Sequence, residues 1–269
     1  MITKITSERA ELPSWIKKFS LEGKVALITG AGSGLGRQVA TGMAMSGATM
    51  VLLDANKESV EELRDEFAAA GLEAEAMYAD VTDRNQAKEA VEYTVNKYGH
   101  IDIMANIAGI TRRMPLEVFD EDAFDKVIDV NLKGTFYFTK YAGAKMLEQE
   151  NGGSIINFGS LGTAVAIPES AAYCASKGGV GMLTKTAAVE WASRKVRVNC
   201  ILPGTFTTPL LQYCIDKDPS YGDEILKRFP IKRFGDPEEL VGACVYLASD
   251  ASTYTTGLFF SVDGGCTAF

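Results

Sequence analysis

Tyr173 and Lys177 stand four residues apart in Tyr173-Cys174-Ala175-Ser176-Lys177, a spacing that on a helix sets a phenol and an ammonium on one face, a turn apart. A phenol ionises near pH 10. A tyrosine that exchanges protons near neutrality therefore needs its pKa lowered by roughly 3 units, about 4 kcal/mol in favour of phenolate. The charge of Lys177 can supply part of that. Such a pair is common on helix surfaces, so its chemistry depends on companions. Two candidates are Ser160, which follows the strand-like run Ile155-Ile156-Asn157-Phe158, and Asn131, inside a helical stretch that begins near residue 121.

A second constellation is Thr29-Gly30-Ala31-Gly32-Ser33-Gly34-Leu35-Gly36, between a strand-like run and a helical one. Glycines at such a junction permit a tight turn and let backbone N–H groups and a helix N-terminus approach phosphates. The spacing departs from GxGxxG, because Leu35 takes the third glycine's place counted from Gly30. A glycine-rich turn alone is also an ordinary loop, and its position directly after the first strand is what favours a dinucleotide. Asp54 closes the second strand-like run, where a carboxylate accepts from both adenosine-ribose hydroxyls and repels a 2′-phosphate. NAD is expected over NADP. Arg37, the nearby cation that could favour NADP, falls in the opening turn of the first helix and is discounted.

These groups need a scaffold. Strand-length apolar runs near 25–28, 50–53, 73–78, 101–106, 154–158, 196–202 and 258–262 alternate with helical patterns near 35–46, 57–70, 84–97, 121–148, 171–193 and 237–248. The expected fold is α/β: one doubly wound Rossmann domain over residues 21–269, with a parallel seven-stranded sheet and helices on both faces. Residues 1–20 read as an arm packed on the body through Trp15, Ile16 and Phe19. Residues 205–230, with Pro209, Pro219 and Pro230, break the alternation and read as a long mobile substrate loop.

Bulk properties exclude several classes. A formal net charge of −8 argues against nucleic acid and anionic membranes as partners. Five scattered cysteines without a CxxC pair read as reduced thiols of a cytoplasmic protein, and no Cys/His cluster offers a metal site. The single histidine, His100, precedes an apolar run and reads as a strand-entry residue. The charged N-terminus lacks the apolar stretch of a signal peptide, and no segment has membrane-spanning character.

In order along the chain, Thr29 to Gly36, Asn106-Ile107-Ala108-Gly109, Asn131, Ser160, Tyr173 with Lys177, and Pro203-Gly204 resemble the short-chain dehydrogenase/reductase family over residues 21–265. Ile107 departs from that pattern, where asparagine is usual, and implies a minor change in bonding at the fourth strand. The resemblance implies hydride transfer between a secondary alcohol and a ketone. Tyr173 would be the acid/base, Ser160 the hydroxyl that holds substrate oxygen, Lys177 the tuner and ribose ligand, and Asn131 the anchor of a relay water. Cofactor contacts are implied at Gly30, Ser33, Gly34, Leu35, Gly36, Asp54, Asp80, Val81, Asn106, Ala108, Gly109, Pro203, Gly204, Phe206 and Thr208. A homotetramer is implied as well.

Arg112 and Arg113 follow the fourth strand at the edge where such sheets bind ligands, and could clamp a substrate carboxylate, although two adjacent loop side chains seldom point the same way. With Gly99-His100-Ile101-Asp102-Ile103 they are similar to sugar-acid dehydrogenases of the family. The expected substrate is a sugar acid or polyol. The alternatives are a reductase of 3-oxoacyl, steroid or other apolar ketones, and a nucleotide-responsive binding protein without catalysis. Asp54 speaks against the 3-oxoacyl reductase and the filled catalytic positions against the binding protein.

Overall fold

A computed structural model of the chain describes residues 13–217 and 219–268. Seven strands form one parallel sheet in the order β3-β2-β1-β4-β5-β6-β7: β1 (Val25–Thr29), β2 (Thr49–Asp54), β3 (Ala74–Tyr78), β4 (Ile103–Asn106), β5 (Gly153–Phe158), β6 (Val196–Pro203) and β7 (Phe259–Val262). The strand order reverses between β1 and β4. Their carboxyl ends are in register, Thr29 beside both Leu53 and Asn106, so the crevice for a ligand opens there.

β1 and β4 are buried at every position, as strands covered on both faces must be. The helices that cover them are α2 (Gly34–Met45), α3 (Lys57–Ala69), α4 (Arg84–Tyr98), α5 (Glu121–Ile128), α6 (Thr135–Glu148), α7 (Ala171–Trp191) and α10 (Val241–Ala248), with a turn of helix, α1 (Ser14–Lys17), ahead of the sheet. Val39 and Met43 of α2, Val60 and Leu63 of α3, and Cys244 and Leu247 of α10 fill one face. Ala87 and Val91 of α4, Phe138 and Met146 of α6, and Ala187 of α7 fill the other.

Two expectations change. The stretch 121–148 is not one regular helix: α5 and α6 are joined by a π-helical insert, Asp129–Gly134, that holds Asn131. Such inserts widen the helix by one residue and are frequent at functional sites. The 205–230 segment is not a plain connection but carries two short helices, α8 (Pro209–Lys217) and α9 (Pro219–Leu226), each opened by a proline at a position that lacks an intrahelical N–H partner anyway.

Most of the expected arm, residues 1–12, lies outside the described residues. Beyond it, Phe19 packs on Tyr246 at 6.2 Å between ring centres, the Lys18 carbonyl accepts from Ala251 N–H, and Trp15 is exposed. His100 pairs through Nε2 with Asp102 at 3.1 Å, and Asp102 also accepts the Val25 N–H, at the entry to β1.

Candidate active site

A cleft of about 640 Å³ runs across the carboxyl ends of β1 to β6. One end is built from backbone. Gly30 has φ 71°, and a Cβ there would stand 2.9 Å from the Ala108 backbone. A Cβ on Gly36 would stand 1.9 Å from the Gly30 carbonyl oxygen, so this helix can start so close to its strand only with glycine. At Gly34, φ 53°, a Cβ would meet only Thr208, at 3.9 Å, and otherwise open cleft. The first turn of α2 has no acidic residue, and its N-cap, Ser33, makes no side-chain cap bond. Its N–H groups therefore face the cleft without a competing anion, which suits a pyrophosphate.

Asp54 ends β2 beside this turn. Its Oδ2 accepts from Gly32 N–H at 2.8 Å and its Oδ1 from Asn56 N–H at 2.9 Å, which aims the carboxylate into the cleft and leaves lone pairs for ribose hydroxyls. Arg37 is drawn away from it, bonded to Glu66 at 2.6 Å. Asp80 and Val81 line the same end; Asp80 Oδ1 accepts from both the N–H and the hydroxyl of Thr82. The donor set thus fits a dinucleotide: amides for phosphates, a carboxylate for ribose, apolar Val81 for a base.

The other end is built from side chains, Ser160 and Lys177 buried and Tyr173 half-buried. Ser160 follows β5, and Tyr173 and Lys177 project from α7. The Tyr173 phenol and the Ser160 hydroxyl both line the cleft. Burial pushes the phenol above its ordinary pKa, while the nearby Ser160 hydroxyl pulls it back. Lys177, 4% exposed, donates through Nζ to the Phe158 carbonyl at 2.7 Å, and burial lowers its pKa to about 8. The lowered phenol pKa expected from Lys177 is thus not a property of the protein by itself. Nζ lies 5.9 Å from the Tyr173 ring centre, and burial is the largest influence on the phenol.

Several expected site residues are not in the cleft wall. Asn131 is fully buried behind it: Oδ1 accepts the Ile110 N–H at 2.8 Å, and Nδ2 donates to the Ile110 carbonyl and to Ser176 Oγ. Its side chain thereby ties the loop after β4 to α7, and the π-helical insert supplies the room. Asn106 sits beneath the cleft floor, donating to Asn157 and Thr139, because its strand position points it into the sheet's polar interior. Phe206 buries its ring against Gly235, bridging to it as a short parallel pair. Arg112 and Arg113 stand beyond Thr111, the last residue of that loop in the cleft wall, and Arg113 pairs with Glu169 at 3.3 Å. The other expected residues, from Gly30 to Thr208, do line the cleft.

Ile107, Ile110, Lys126, Val130 and Gly159 also line it and were not anticipated. Ile107 packs its side chain on the core where asparagine is usual, while its N–H still donates to Thr29 Oγ1. Lys126 and Val130 are one helical turn apart, a signal the sequence carried but that could not reveal which face meets the cleft. Among the described residues no cluster of metal-ligating side chains occurs, and no helix is long and apolar enough to cross a membrane.

Residues 30–267 match the family described as enoyl-(acyl carrier protein) reductase. The chain is 43% identical to 3-oxoacyl-[acyl-carrier-protein] reductase of Thermotoga maritima, over 91% of this chain and 98% of that one. It is 39% identical to gluconate 5-dehydrogenase of Gluconobacter oxydans, over 93% and 96%. The crystal structure of a gluconate 5-dehydrogenase from Burkholderia cenocepacia, in complex with NADP and tartrate, superposes with a TM-score of 0.89 at 38% identity, over 94% of this chain and 98% of that one.

Proposed function

Because the chain belongs to the short-chain dehydrogenase/reductase family, whose members oxidise CH–OH groups or reduce the corresponding carbonyls, we propose that it interconverts a sugar acid or polyol and its ketone with NAD. The observation that carries this reading is the gathering of Ser160, Tyr173 and Lys177 at one end of a cleft whose other end presents Asp54 beside an uncapped helix N-terminus. Bound there, the nicotinamide would supply the two-electron acceptor or donor. The chain's own residues handle the proton.

In oxidation Tyr173 takes the carbinol proton while Ser160 holds the same oxygen by hydrogen bond. In reduction Tyr173 returns it. Lys177, when protonated, favours negative charge on the phenol and offers its remaining N–H groups to a ribose. Asn131 acts one layer back, as the tie that fixes Ile110 against α7. Phe206 can contribute only main-chain groups, since the bridge to Gly235 uses the Thr205 carbonyl and the Thr207 N–H and turns the N–H and carbonyl of Phe206 the other way.

NAD selectivity rests on Asp54 and on the engagement of Arg37 by Glu66. The solved relative that holds NADP makes this a point to test. For a substrate carboxylate, Arg112 is the candidate, since Arg113 already has a carboxylate partner. We place the protein in the cytoplasm, where thiols such as Cys174, Cys200, Cys244 and Cys266, all unpaired, stay reduced. We also infer a homotetramer, supported by exposed apolar side chains on the outer faces of α6 and α7, among them Phe136, Met182 and Val189. The small residues nearby serve the subunit itself: a Cβ on Gly143 would strike Trp191, and one on Gly179 would strike Leu132.

A second reading, reduction of 3-oxoacyl thioesters, is favoured by the Thermotoga maritima relative. Initial rates with NAD and NADP on gluconate, threitol and other acids and polyols, and with NADH and NADPH on a 3-oxoacyl thioester, separate the two. Faster turnover of the thioester with NADPH than of any sugar acid or polyol with NAD would replace the first reading by the second.

A further inference from the structure

Arg113 leaves the loop after β4 and meets two other segments at the mouth of the cleft. Its guanidinium pairs with the Glu169 carboxylate at 3.3 Å, and its Cζ lies 5.0 Å from the centre of the Tyr221 ring. The three residues come from three distinct segments. Arg113 continues the loop whose Ile110 and Thr111 line the cleft. Glu169 stands two residues before α7 begins and four before Tyr173. Tyr221 is on α9, in the segment whose first residues, Thr208 and Pro209, line the cleft as well. Glu169 has φ 59°, a left-handed conformation that a residue with a side chain keeps only when its neighbours hold it. Here its carbonyl accepts the Met114 N–H at 2.9 Å, so the same loop grips Glu169 through both backbone and side chain.

We propose that Arg113 is a positioning residue for substrate: it fastens α9 and the turn before α7 to the loop after β4, and so sets the opening through which substrate reaches Tyr173. This rests on the cleft being the active site. The fastening is built to be weak, because the Arg113 and Glu169 side chains are 38% and 50% exposed and salt screens such pairs. Weak contacts suit a segment that substrate must pass. They also separate this role from a carboxylate clamp, since an uncharged substrate passes the same opening and should sense Arg113 as an acid does.

The test uses the full chain with Arg113→Ala, Arg113→Lys and Tyr221→Leu. Trypsin cleavage after Lys227 or Arg228, at the end of the fastened segment, needs no substrate. Arg113→Ala should be cut about five- to tenfold faster than wild type, the loss expected for one exposed ion pair and one cation–π stack, and Tyr221→Leu, which loses only the stack, about two- to fivefold faster. Arg113→Lys keeps the charge opposite Glu169 without the planar guanidinium and should fall between. Added salt should narrow the gap between wild type and Arg113→Ala. On an uncharged polyol, Arg113→Ala should raise KM by about five- to tenfold, with kcat within about twofold and NADH binding unchanged.

Equal cleavage of wild type and both truncated variants would overturn the fastening. Faster cleavage with an unchanged KM would overturn its role in positioning substrate. A KM raised only for acids would return Arg113 to a direct clamp. If no substrate were turned over by wild type, the proposed function would be at fault, and the trypsin comparison would still decide the fastening.

Discussion

The two ends of the cleft are held in different ways. At the turn into α2, position is enforced by main chain: a single methyl group at Gly36 would collide with the Gly30 carbonyl, and Asp54 is aimed by two backbone N–H groups. Around Tyr173 it is enforced by buried side chains: Asn131 on Ile110 and Ser176, and Lys177 on the Phe158 carbonyl. Outside both lie exposed contacts such as that of Arg113 with Glu169, which we propose set the mouth. A backbone cradle can be changed only by breaking it, whereas the mouth can be rewritten one side chain at a time. That gradient agrees with relatives of similar identity whose names carry different substrates, a 3-oxoacyl thioester in one and gluconate in another.

If the ends have separate tasks, their variants should separate cleanly. Tyr173→Phe should lower kcat by about 10²- to 10⁴-fold, the range for a lost acid/base, with NADH affinity within about twofold of wild type. Asp54→Ala should do the reverse: it should weaken NAD by about ten- to a hundredfold, ease binding of NADP, and leave kcat at saturation nearly unchanged. Titration of both cofactors against each variant checks the pair; a large loss of NADH affinity in Tyr173→Phe would break the separation. At the mouth, Arg112→Ala should cut kcat/KM on a sugar acid by about tenfold and leave its uncharged alcohol unaffected. Equal effects on both would remove the clamp.

The smallest effect is a displacement in pH. Oxidation needs the phenolate, so its rate should rise with pH, and the limb should lie on the alkaline side because burial raises the Tyr173 pKa. Reduction needs the phenol and should hold through neutrality, then fall along the same limb. The Ser160 hydroxyl pulls that pKa down, so Ser160→Ala should move the limb to still higher pH. A limb unmoved by Ser160→Ala would mean that Ser160 does not tune the phenol.

What could be foreseen follows the same division. The glycine turn, Asp54 and the seven strands were legible because local rules fix them: glycine where φ is positive, a carboxylate at a strand end, apolar runs where both faces are covered. The Tyr173 and Lys177 spacing was legible too. The sign of the Tyr173 shift was not, since it depends on how much water the fold removes relative to how close Nζ comes. Nor were the ties of Asn131, because a π-helical insert leaves no mark in apolar periodicity. The two helices within 205–230 were hidden by prolines that serve equally as helix openers and as loop residues. The partners of Arg113 lie 56 and 108 positions along the chain, beyond the reach of any local pattern.

Direct hydride transfer in this cleft is the central claim, and isotope tracing tests it most directly. A sugar acid or polyol that the enzyme turns over would carry deuterium on its carbinol carbon and react with NAD in ordinary water. Direct transfer predicts one deuterium in each NADH formed, none in water, and NADH formed about 10²- to 10⁴-fold more slowly when Tyr173→Phe replaces wild type. Deuterium released to water, or NADH formed equally well by Tyr173→Phe, would contradict it.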